Sequence, residues 1–148
     1  MAAPAPEVVV RGNAAGFSQA IRAGLHELAS DEPLDQGGAD TGPSPYELLA
    51  AALGACTSMT LGMYARRKQW PLASVIVRLR HSKIHATDCA DCETEDAMLD
   101  RIDRDIELTG DLTEEQRRKL IEIADTCPVH RTLTRGMKVH TRLVPEME

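Results

Sequence analysis

The stretch from Ser44 to Pro71 constrains this chain more than any other. Ser44-Pro45-Tyr46-Glu47 carries three helix-start features at once. Ser44 can cap, Pro45 suits the first helical position, and Glu47 stands where a capping box needs an acid. From there the sequence reads as one long helix to about Gln69, with Pro71 marking its end. Apolar residues fill nearly all of its first half, which predicts burial on most sides.

Shorter elements flank this helix. Residues 1–6 read as a frayed tail, and Glu7 to Arg11 as a strand followed by the turn residues Gly12-Asn13. Phe17 to Leu28 alternates loosely, with Gly24 as a hairpin turn inside it, and a polar loop runs from Ser30 to Pro43. Beyond the helix, Ser74 to Lys83 alternates Val75, Val77 and Leu79 with Ile76, Arg78 and Arg80, a strand with one wet face over most of its length. His85 to Asp96 is an acidic link, and Ile102 to Thr109 is a second alternating strand closed by Gly110-Asp111. Thr113-Glu114-Glu115-Gln116 repeats the capping-box pattern and opens a helix through Ile123 or Ala124. Cys127-Pro128 begins a further helical turn through Leu133, and Met137 to Val144 is expected to be a closing strand. The sum is a single α+β domain over residues 1–148.

Composition narrows the chemistry. With one Phe, one Trp and two Tyr, packing falls to Leu, Ile, Val, Ala and Met. A net charge of -6 argues against a nucleic-acid partner, and Arg66-Arg67-Lys68 and Arg117-Arg118-Lys119 read as solvated helix faces. Met1 to Pro6 has no charged and apolar signal pattern, and the apolar run Leu48 to Ala55 is too short to span a bilayer. The expectation is a soluble cytoplasmic protein without a membrane partner. In such a reducing compartment, four cysteines point to redox activity, metal binding or burial before structural disulfides.

Two cysteines stand out. Cys56 lies deep inside the long helix, where an isolated thiol ordinarily serves as a small core hydrophobe. Cys127 precedes Pro128 at a helix start, where free N–H groups and the positive end of the dipole favour a thiolate. His130, three residues on, can share that face and add charge when protonated. A thiol peroxidase needs one cysteine to attack a peroxide and a second to convert the sulfenic acid to a disulfide. The 71-residue spacing neither supports nor excludes contact between them.

The sequence resembles the OsmC/Ohr family of osmotically induced and organic-hydroperoxide-resistance proteins. The resemblance rests on Gly42-Pro43-Ser44-Pro45-Tyr46-Glu47-Leu48-Leu49, on Ala52-Leu53-Gly54-Ala55-Cys56, and on Cys127-Pro128-Val129-His130. It implies an OsmC-like fold, antiparallel sheets wrapped around long central helices, in an intertwined homodimer with its sites at the subunit interface. It implies a thiol-dependent organic hydroperoxide reductase without a cofactor, Cys56 peroxidatic and Cys127 resolving, recycled by a lipoyl-type dithiol. The Ohr branch has a glutamate ten residues before its first cysteine, paired with an arginine that steadies the thiolate. That position is Tyr46 here, and the nearest acid, Glu47, is turned by ~100° around the helix. Glu47 therefore has two candidate roles, catalysis and helix capping. Arg11 and Arg22, on the N-terminal strands, are the candidate arginines.

Elsewhere, Cys89-Ala90-Asp91-Cys92, near His85 and Asp88, offers a Cys-x-x-Cys without the second pair a zinc ribbon requires. Ordinary loop thiols, a metal site and a redox pair are all readings of it. His26, His81 and His140 read as structural. The alternative to an enzyme is an OsmC-like protein that senses oxidation or binds a small ligand without efficient turnover.

Overall fold

A computed structural model describes residues 3–85 and 98–146. In chain order the elements are β1 (Val8–Arg11), β2 (Gln19–Ala23), β3 (His26–Ser30), a 3-10 turn at Leu34–Gln36, α1 (Pro45–Lys68), β4 (Leu72–His85), β5 (Met98–Gly110), α2 (Glu114–Ala124) and α3 (Pro128–Arg135). Cys89 and Cys92 lie outside the described residues.

The protein is α+β, with one sheet ordered β1-β2-β3 and another made of β4 and β5. Antiparallel pairing sets Val8 opposite Ala23 and Gln19 opposite Ser30. Between β2 and β3 the register closes at Ala23 and His26, leaving a two-residue turn. Gly24 opens it at φ 62°, the left-handed position a type II′ hairpin gives to glycine. Along the second sheet, Ser74 meets Thr109, Arg78 meets Glu107 and Lys83 meets Asp100. Partner numbers fall as strand numbers rise, so this pair is antiparallel too.

Helix α1 begins as its sequence dictates: Ser44 Oγ accepts from Glu47 N–H at 3.3 Å. Its end is a Schellman closure. Gln69 takes a left-handed φ of 57°, with its N–H on Arg66 O and the Trp70 N–H on Ala65 O. Arg66, Arg67 and Lys68 fill the last turn, where cations complement the dipole. At the start of α2, Thr113 and Gln116 exchange both bonds of a capping box.

Four expectations require correction. Burial of α1 on most sides is not met within this chain. Leu53, Thr57, Leu61 and Ala65 form one buried stripe at four-residue spacing, with Gly54 beside it, while Met59 and Met63 are exposed. No strand forms at 137–144, and Met137, Val139, Leu143 and Val144 are exposed, since a strand needs a ladder partner. The whole of α1, unlike Leu48 to Ala55 alone, is long and apolar enough to cross a membrane by length and composition. Core helices of soluble domains share that property. Arg117 also departs from a purely solvated face, because its guanidinium donates to Leu108 O and Gly110 O at the end of β5.

Contacts divide the chain into two compact units, Met1–Ala51 with Leu79–Asp103, and Ala52–Arg78 with Arg104–Glu148. The first unit contains the three-stranded sheet and the loop after it. There Asp31, 2% exposed, accepts from Glu32 N, Ala39 N, Thr41 N and Thr41 Oγ1. In the second, Leu61, Leu112, Leu120 and Ala124 make the core, flanked by Tyr64, Trp70, Leu72, Val75, Ile106, Leu108 and Ile123.

Candidate functional site

The N-terminus of α3 organises the site, which lies wholly within the second unit. Cys127 is the N-cap, with extended backbone at φ -63° and ψ 142°, and Pro128 follows at the first helical position. Helix starts leave their first N–H groups without helical partners. Proline has none to offer. The next, Val129 N–H, points at Cys56 Sγ at 3.5 Å, and the third, His130 N–H, donates to Cys127 Sγ at 3.3 Å. With Arg131 N–H on Cys127 O the helical ladder begins. Two sulfurs 71 residues apart in sequence thus occupy successive donors of one helix terminus. Both thiols are free; Cys127 is fully buried and Cys56 half-buried.

Behind the sulfurs stands a polar network. Thr57, fully buried and next to Cys56 on α1, donates its hydroxyl to Leu53 O at 2.7 Å and lies 3.8 Å from Cys127 Sγ. Arg104, from β5, donates to Thr57 Oγ1 at 3.0 Å and to Asp125 Oδ1 at 2.9 Å. Its side chain is 11% exposed, whereas that of Asp125 is 68% exposed. The guanidinium also lies 3.2 Å from His130 Nδ1. Arginine can only donate, so Nδ1 accepts and the ring hydrogen sits on Nε2. Arg104 thus brings a fixed positive charge to this network, and His130 Nδ1 meets its guanidinium as an acceptor.

Glu47 is exposed in the first turn of α1, its N–H on Ser44. Tyr46 stacks on His81, ring centroids 4.1 Å apart, and His81 Nε2 bonds Asp100 at 2.8 Å, so this histidine has partners that its strand pattern did not reveal. Arg11 and Arg22 lie on β1 and β2 in the first unit. The arginine bonded to Thr57 beside the thiols is instead Arg104, which the sequence pattern does not single out. A signal for it existed: Arg104 shares strand parity with Ile102, Ile106 and Leu108, which sets a charge on the inward face of β5. Among the described residues no group of three or more His, Cys, Asp or Glu is arranged to hold a metal ion.

A family model described as OsmC-like protein matches residues 37–142. No curated protein matches the sequence. An OsmC-like protein from Mycoplasma pneumoniae superposes with TM-score 0.69 at 19% identity, covering 87% of this chain and 86% of that one. An organic hydroperoxide resistance protein from Legionella pneumophila gives 0.65 at 20% identity, with 88% and 90% covered. One from Elizabethkingia anophelis gives 0.65 at 22% identity, with 91% of each chain covered. Likeness at this identity establishes a shared fold. Together with the family match across most of its length, it makes this chain a member of the OsmC-like protein family.

Proposed function

We propose that the protein reduces organic hydroperoxides through Cys56 and Cys127. The observation that supports this reading is the seating of both sulfurs on consecutive N–H donors of α3. Donors and a helix's positive end favour negative charge on sulfur, the nucleophilic form. Cys56, the more accessible of the two, attacks the terminal peroxide oxygen. The O–O bond breaks, an alcohol leaves, and Cys56 becomes a sulfenic acid. Cys127 then loses its proton and attacks that sulfur as a thiolate; the S–S bond forms, the S–O bond breaks, and the departing hydroxide takes up the proton that Cys127 released and leaves as water. A dithiol of the lipoyl class reduces the disulfide and is itself oxidised to a cyclic disulfide. Glu47 stands nine steps of ~100° before Cys56, about half a turn out of phase, so in this reading it serves the helix start.

The catalytic form in this proposal is a homodimer of a single OsmC-like domain. Two features support it. The apolar flank of α1 at Met59 and Met63 is uncovered, and segment 137–144, with Met137, Val139, Leu143 and Val144 exposed, has no strand partner among the described residues. A second copy can supply both.

Titration of the reduced protein with cumene hydroperoxide while counting thiols tests the chemistry. The expected result is loss of two thiols per chain, restored repeatedly by dihydrolipoamide. Cys56→Ser should abolish turnover, and Cys127→Ser should permit one oxidation without recycling. Steady turnover by Cys56→Ser would end the proposal.

A further inference from the structure

We propose that Arg104, acting through the Thr57 hydroxyl, is a positioning residue that holds charge on Cys127 sulfur when Cys127 attacks or leaves. This rests on the thiol-pair reading above and extends it to the second sulfur. Thr57 has one hydroxyl hydrogen and two lone pairs. One lone pair is committed to Arg104 Nη1, which can only donate. The single hydrogen therefore has two candidate acceptors, Leu53 O at 2.7 Å and Cys127 Sγ at 3.8 Å.

While Cys127 is a thiol, its S–H can donate to the free lone pair of Thr57, and the hydroxyl hydrogen stays on Leu53 O. When that sulfur carries charge it can only accept, and the hydroxyl hydrogen turns toward it. Arg104 polarises the oxygen in both states and makes the hydroxyl a better donor. Cys127 sulfur is then met by the His130 N–H and by Thr57, whereas Cys56 sulfur receives the Val129 N–H. The groups facing this corner are Arg104 from β5, Asp125 from the α2–α3 connection, His130 from α3 and Cys56 from α1. No covalent step is added. Disulfide formation releases water as written above, and the relay changes only how well Cys127 sulfur carries charge.

Thr57→Val keeps the shape and removes the hydroxyl; Thr57→Ser keeps the hydroxyl. Both, carrying all 148 residues, are compared with the native sequence. In a glutathione redox buffer, with disulfide scored by gel shift, Thr57→Val should favour the Cys56–Cys127 disulfide about tenfold more, roughly 30 mV for a two-electron couple. Thr57→Ser should return to within about threefold of the native value. After one equivalent of cumene hydroperoxide, the sulfenic acid trapped by dimedone should persist about ten- to a hundredfold longer in Thr57→Val, as for loss of a bond to a charged group. Its rate of disappearance should require higher pH.

An unaltered redox equilibrium in Thr57→Val, or an equal shift in Thr57→Ser, overturns the relay. A native protein that forms the disulfide in glutathione but ignores peroxide overturns the peroxidase reading alone. The Thr57→Val shift, if present there, still upholds the relay. Failure of Cys56 and Cys127 to pair under any oxidant overturns both.

Discussion

Replacing Arg104 by Met probes the network behind the thiols, because it keeps the length of the side chain and removes its donors. Three contacts disappear. The bond to Asp125 contributes only a few tenths of a kcal/mol, since Asp125 is largely exposed and water replaces the arginine. The bonds to buried Thr57 Oγ1 and half-buried His130 Nδ1 matter more, at about 1 kcal/mol each. Relief of the largely buried guanidinium offsets part of the loss. The expected cost is about 2 kcal/mol, read from urea unfolding at fixed protein concentration with an unchanged m-value. Nitrogen chemical shifts of His130 supply a second readout. The native ring should be the Nε2–H tautomer, and the variant should lose that preference. A loss under about 0.5 kcal/mol with the tautomer retained would refute this account of the network.

Leu61 is fully buried against Leu112, Leu120 and Ala124, so Leu61→Ala should cost about 3–4 kcal/mol in the same assay, a typical cavity penalty. The hydrogen bond from the Thr41 side chain, with backbone donors from Thr41, Glu32 and Ala39, holds the Asp31 carboxyl below its usual value of 3.8. A lowered folded-state value stabilises above the unfolded one and is lost as pH falls through the folded one. Acid titration followed by circular dichroism should therefore show stability falling below about pH 4, and Asp31→Asn should be less stable at neutral pH with a shallower acid dependence. Light scattering on the eluted protein should give twice the 16.2 kDa chain mass, and deletion of residues 137–146 should shift it toward the monomer.

Elements marked by local chemistry were legible in the sequence. Ser44-Pro45 and the Thr113/Gln116 box start their helices where the pattern put them, and Gly24 turns the hairpin because only that residue accepts the φ cheaply. Strands β4 and β5 extend beyond the read limits, since pairing continues past the point where alternation fades. The closing strand failed for the opposite reason: alternation at 137–144 reports a face to bury without naming the chain that buries it. Burial of α1 failed likewise. At the site, Cys127 was legible from its position before Pro128, but nothing in the spacing said that α3 would offer adjacent donors to Cys56. Arg104 was hidden because acids around it make a wet strand, and only its parity betrays the inward turn.

Peptide mapping of the peroxide-oxidised protein by mass spectrometry, without reduction, addresses the thiol pair most directly. A peptide carrying Cys56 joined to one carrying Cys127, reverting on dithiol treatment, is the predicted product. Recovery of both as free thiols, or of either joined to Cys89 or Cys92 instead, would contradict it.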